Sequence, residues 1–166
     1  YFFFYLDFTL GIMSCFETIG YGYSKHLCED IASWFINKYV PRHKFYVRIV
    51  HKGLKREHSF GFCDFVDQAY RPRVFVIEVQ SKLPYELYAK TLLHEFVHLK
   101  QWLQGTLRMK SGKMYFEGES VSKYEYMDQP HEVEAYGVED RLYEEFMKEV
   151  YDVPAEKLEQ YGYTEA

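Results

Sequence analysis

An α+β domain is predicted, with its strands in the first half of the chain and two long helices in the second. Two observations carry this. Residues 44–52, 59–67 and 73–80 alternate apolar and polar side chains as half-buried strands do, and residues 83–105 and a run beginning at Pro130 repeat apolar side chains at helical spacing. Strands and helices segregated along the chain give α+β layers instead of alternating βα units. With 166 residues, no repeat and no linker-like run, residues 1–166 are read as one domain with a core of its own.

In chain order, the first helix is expected over residues 24–39. Ser24 caps it, Leu27, Ile31 and Phe35 mark its packing face, and Pro41 stops it. The first of the three strands sets Phe45, Val47 and Ile49 on one face. The second, 59–67, alternates less cleanly through Phe60, Phe62 and Phe65, and the third presents Phe75, Ile77 and Val79. Residues 83–105 then form one helix of about six turns, with Pro84 at its start and Gly105 at its end. Apolar side chains surround nearly all of it, the pattern of a buried central helix. Residues 106–113 are a basic connection, and 114–127 are expected as a small hairpin or an ordered loop. The last helix turns Ala135, Val138, Leu142, Phe146 and Val150 toward the core.

Set into the greasy helix are His94, Glu95 and His98, an HExxH arrangement. Histidines four apart project from one face, where two imidazoles can take one Zn²⁺. Glu95, about 100° round the helix, reaches a metal-bound water without ligating the metal. Burying three ionisable groups without partners would cost several kcal/mol, so a metal explains them better than three satisfied core residues. A catalytic zinc needs a third protein ligand and an open position. After His98 the sequence LKQWLQ offers neither glycine nor histidine, which rules out the metzincin extension. Downstream candidates are Glu117, Glu119, Glu125, Asp128, His131, Glu132 and Glu134. Glu134 adjoins the small Ala135 on the apolar face and is preferred. His131 is the alternative, and Glu132, about 200° from Glu134, is expected to face elsewhere.

HEFVHLKQW, with strands before it and PHEVEAY after it, resembles the minimal zinc metallopeptidases of the gluzincin type, as in small phage-encoded peptidases and the ImmA/IrrE-like group. It is more distantly similar to SprT/Spartan-type domains. The similarity covers residues 45–146, and its specific parts are HEFVH and EVEAY. It implies a zincin-like fold, a small twisted sheet of three or four strands packed on the HExxH helix, with the last helix completing the site. It also implies an endopeptidase with Zn²⁺ on His94, His98 and Glu134, Glu95 as general base, and a peptide or protein substrate. In that likeness the strand 73–80 is the edge that pairs with an extended substrate, through Val74, Val76 and Glu78. Tyr124, Tyr126, His131 and Tyr136 are candidates to stabilise the oxyanion. Larger members carry an Asp four residues after the ligand glutamate, where this chain has Val138, so the residue that orients the ligand histidine is unassigned. SprT-type enzymes prefer a third histidine, which keeps His131 in play.

Composition narrows the remaining classes. Cys15, Cys28 and Cys63 are odd in number and lack C-x-x-C spacing, which argues against a disulfide framework and for a reducing, cytoplasmic setting. The apolar opening YFFFYLDFTLGIM contains Asp7 and no basic leader, so neither a membrane span nor a signal peptide is expected. Seven Lys/Arg against one acid between Lys38 and His58 raise nucleic-acid contact through Lys44, Arg48, Lys52, Lys55 and Arg56, and the net charge of −5 weighs against it. Two alternatives to a plain peptidase follow: a regulatory module with an idle zinc site, against which the intact Glu95 counts, and a SprT-like protease acting on DNA-associated proteins.

Overall fold

Three strands lying side by side, β2 (Ile12–Gly20), β3 (Tyr46–Lys52) and β5 (Val74–Gln80), run parallel, and β4 (Gly61–Phe65) pairs antiparallel with the outer side of β5. β1 (Phe3–Asp7) extends this mixed sheet antiparallel to β2, giving the order β1-β2-β3-β5-β4. The computed structural model describes residues 3–7, 12–54, 59–68 and 70–160, with side chains from residue 16 onward; Cys15, Lys55 and Arg56 therefore lie outside the described side chains. The parallel neighbours β2 and β3 need a crossover, and α1 (Lys25–Tyr39) supplies it. Ser24 caps α1 as expected, its Oγ accepting the Leu27 N–H at 3.2 Å.

Val47, Ile49, Phe75, Ile77 and Val79 are fully buried on one face of the sheet, under α1 and α2 (Tyr85–Gln104). The alternation of the sequence becomes the two faces of the sheet. α2 is the buried centre: its core residues run all round the helix, from Tyr88 through Leu92, Phe96 and Leu99 to Leu103, and Gly105 ends it in the left-handed region at φ 77°. Pro84 stands one position earlier than expected, as the N-cap.

The connection after α2 is more ordered than its sequence suggests. β6 (Leu107–Lys110), β7 (Lys113–Phe116) and β8 (Glu119–Ser120) form a second, antiparallel sheet. Its two-residue turns, Ser111-Gly112 and Glu117-Gly118, hold positive φ at both positions, which suits the right-handed twist of a tight hairpin. Short 3₁₀ turns at Val121–Lys123 and Tyr126–Asp128 lead into α3 (Pro130–Tyr151). Ala135, Leu142, Tyr143, Phe146 and Met147 bury α3 against the core, whereas Val138 is half-buried and Val150 exposed. Tyr39 and Trp34 of α1 donate to Glu145 and Glu149 of α3 at 2.5 and 2.7 Å, tying the second half of α3 to α1.

The topology corrects one expectation. β5 is paired on both sides, with β3 and with β4, so its backbone has no free edge for a substrate strand. Val74, Val76 and Glu78 lie on the half-buried outer face, and Glu78 pairs with Lys52 at 2.7 Å. Among the described residues β4, beside the HExxH helix, has no strand partner on its outer edge, where the Gly61 carbonyl accepts from Ser59 Oγ and the Phe65 N–H donates to Asp64. Arg48, one of the basic residues considered for nucleic acid, is likewise paired, with Glu17 at 2.5 Å. Among the described residues no helix is long and apolar enough to cross a membrane.

Candidate metal centre

α2 carries His94 and His98 on the face that α3 covers, each 6% exposed. Their Nε2 atoms lie 3.1 Å apart, and one oxygen of Glu132 sits 3.0 Å from the first and 3.3 Å from the second. Glu132, 5% exposed, therefore completes the group, and among the described residues these three donors lie within 4.8 Å of one another.

Hydrogen bonds behind the rings decide what the three atoms are. The Gln101 amide donates from Nε2 to the His131 carbonyl at 3.1 Å, so its Oε1 is the acceptor that faces His98 Nδ1 at 2.8 Å. His98 thus carries a proton on Nδ1. Glu139 accepts in the same way from His94 Nδ1 at 3.0 Å. With Nδ1 protonated, each neutral imidazole presents a bare lone pair at Nε2, and both lone pairs point at a carboxylate. Three acceptors converging in a buried space repel unless a positive charge lies between them. This group can hold a metal ion.

The titration behaviour expresses the same demand. Burial pulls His94 down, but hydrogen bonds to Glu132 and Glu139 outweigh it and raise the imidazole to about 9. His98 is raised as well, burial being overcome by Glu132 and Glu95. Protons can take the cation's place: once both imidazoles are protonated at Nε2 they donate to Glu132, which is thereby pressed well below the carboxylate range despite its burial. Glu95, beside the group but not in it, is pushed up to about 7 by burial, against the opposing pull of His98 and His94.

The structure brings Glu132, and not the expected Glu134, to the two histidines. Glu134 is solvent-exposed on α3 and only touches Gln101, at 3.4 Å. His131 does not join the group either: its Nε2 lies 3.6 Å from the far oxygen of Glu132, and its Nδ1 is buried without a partner among the described residues. The reason is helical phase. Glu132 stands three residues before Ala135 and seven before Glu139, about 60° and 20° away round the helix, whereas Glu134 is about 100° from Ala135. The row Glu132, Ala135, Glu139, Leu142, Phe146 is the face that meets α2. Sequence reasoning aligned the helix on Val138 and Val150, which are half-buried and exposed. The missing orienting residues were readable: Gln101 lies three residues after His98 on the same helical face, and Glu139 lies on the face of Glu132.

A cavity of about 590 Å³ opens beside Glu95, His98 and Glu132. One wall is β4, from Gly61 to Asp64; the opposite wall is apolar, with Trp102, Leu107, Met109 and Met114. Gly61 lets the strand pass close to the site, since a Cβ there would stand 2.9 Å from both Glu95 Oε1 and Thr91 Cγ2. Of the four candidates for the oxyanion, Tyr126 and His131 line this cavity. Tyr124 is engaged with Glu119 at 3.1 Å, and Tyr136 packs over the His94 ring with centroids 4.4 Å apart. Burial and then the carboxylate of Glu132 hold the Tyr126 phenol well above its usual range, so it remains a neutral donor.

Comparisons with protein-family models, curated proteins and solved structures find no match. The site is read on its own geometry.

Proposed function

We propose that the chain is a zinc-dependent metalloendopeptidase, with His94, His98 and Glu132 as ligands and Glu95 as general base. The observation that carries this reading is the convergence of three buried acceptor atoms with a fourth, non-ligating carboxylate at the mouth of a substrate-sized cavity. Two imidazoles and one carboxylate are the donor set of catalytic zinc sites that keep an open position, and softer or all-oxygen preferences fit it less well. A purely structural site needs no such non-ligating carboxylate. The likeness of HEFVH to gluzincin-type peptidases agrees, with the ligand glutamate moved from Glu134 to Glu132.

When bound, zinc supplies a water of lowered pKa and polarises a carbonyl. The chain's own residues do the rest. Glu95, beside the ligands and facing the cavity, takes the proton of the attacking water and returns it to the leaving amine. Tyr126 or the neutral His131 donates to the developing oxyanion. The outer edge of β4 around Cys63 pairs with an extended peptide by β-addition, and the Trp102, Leu107, Met109, Met114 wall takes an apolar side chain next to the scissile bond.

Glu95→Gln tests this. The zinc-loaded parent is expected to cut an unstructured peptide containing large apolar residues, and the variant to keep its zinc while losing about 10²–10⁴-fold in rate. Cleavage by Glu95→Gln at the parental rate would remove Glu95 from the mechanism. Zinc-loaded parent that cuts no member of an apolar-rich peptide library would leave the centre an idle or regulatory one.

A further inference from the structure

Trp102 also borders a second concavity, built by the loop Tyr70-Arg71-Pro72-Arg73, the end of α2 and the first strand of the small sheet. Arg71, Arg73 and Arg108 line a cavity of about 170 Å³, with Trp102 as part of its wall. This cavity shares Tyr70, Gly105 and Arg108 with a groove of about 730 Å³ that also carries Lys110 and Tyr115. Glu117 is the one acid lining the pair. No ion pair among the described residues engages any of the three arginines, and the nearby Asp67 is occupied by the backbone N–H groups of Arg73 and Val74 at 2.9 and 3.2 Å. Three guanidinium groups around one small cavity, with no ion-pair partner among the described residues, repel one another. On a chain of net charge −5 the clustering runs against composition, and an anion with several acceptor oxygens relieves it.

The aromatic groups narrow the anion. Tyr70 is 70% exposed, and the Arg71 guanidinium lies 5.6 Å from its ring centre. With Tyr115 in the adjoining groove, the site offers planar faces next to its cations. We infer that this cleft binds a nucleotide unit, with the phosphate on Arg71, Arg73 and Arg108 and the base stacked on Tyr70 or Tyr115. Arginine forks match phosphate geometry, and a tyrosine ring is a stacking platform for any base. The unit is either a free nucleotide or part of a single strand. The site is independent of the peptidase reading, although Trp102, which borders both cavities, gives it a physical route to the metal cleft.

Trp102 also supplies the signal. In the Trp34→Phe variant of residues 1–166 it is the single tryptophan, and its fluorescence is followed while adenosine monophosphate, inorganic phosphate or a short oligothymidylate is added, with calorimetry in parallel. Saturable binding of the mononucleotide or the oligonucleotide is expected, and whichever binds tighter identifies the source. Affinity should fall at least tenfold in Arg71→Ala/Arg108→Ala and in Arg108→Lys, which keeps the charge but not the fork, with unchanged circular dichroism. Tyr70→Ala should weaken nucleotide more than phosphate. Inorganic phosphate binding as tightly as nucleotide would overturn the stacking, and binding indifferent to the arginine variants, abolished by a chelator, or absent for all three probes at millimolar concentration would overturn the site.

Discussion

Glu132 and Glu134 differ by two positions and by everything that matters to a metal. The first points its carboxylate between two imidazoles, and the second faces water. Glu132→Ala should therefore weaken zinc affinity by several orders of magnitude, and Glu134→Ala should leave it within a few-fold of the parent, as read by competition with a chromogenic chelator. Equal losses in the two variants would contradict the assignment. Behind the ligands, Gln101 and Glu139 hold the ring protons on Nδ1. Partners of this kind typically contribute about 10–100-fold in metal affinity, so Gln101→Ala and Glu139→Ala are expected in that range, well short of a lost ligand. The HExxH residues were legible because their chemistry is local: two imidazoles one turn apart share a face whatever the fold. The third ligand was not, because two glutamates flank Ala135 and only the docking of α3 on α2 decides which one turns inward.

The elements that hold the site in place rest on β3, β4 and α2. His51 of β3 is buried at 1% exposure; its Nδ1 faces the Ile19 carbonyl at 3.0 Å, and its Nε2 accepts from the Tyr88 hydroxyl of α2 at 2.8 Å. Tyr23 stacks on its ring at 3.4 Å. Burial lowers this histidine from 6.5 to about 4. Its unfolded form takes up a proton below pH 6.5 while the folded form does not, so the stability it contributes is complete above that pH and is lost as pH falls toward 4. The loss amounts to about 3 kcal/mol by the conversion of pKa shifts to free energy. Urea unfolding of chelator-treated protein at pH 7 and pH 4.5 should show a larger acid loss in the parent than in His51→Gln; identical slopes would contradict it. Alternation revealed β3, β4 and β5, and helical spacing revealed the three long helices. It could not reveal strand order, since parallel pairing joins segments far apart in sequence, and so β5 was read as an edge when β4 closes it. Gly61 in β4 was a readable sign of close approach, and Gly61→Val should cost about 1–3 kcal/mol by overpacking against Thr91 and displace Glu95, slowing any hydrolysis more than it weakens zinc binding.

Across the whole molecule, the sheet, α2 and α3 bring together groups that the chain separates by some forty positions, and a cation bound among them would offset the cost of burying them. Metal binding and folding are then linked: a ligand bound only by the folded state adds stability as RT ln(1 + [L]/Kd), about 4 kcal/mol at a thousandfold excess over Kd. The most direct measurement is the metal content of the purified full chain by elemental analysis, before and after chelation and zinc reloading, alongside its thermal midpoint. One zinc per chain, a midpoint that falls on chelation and recovers on reloading, and loss of both in His94→Ala/His98→Ala is the predicted result. A chain that takes up no zinc at neutral pH, or a double variant that binds it as well as the parent, would contradict the metal centre and the function built on it.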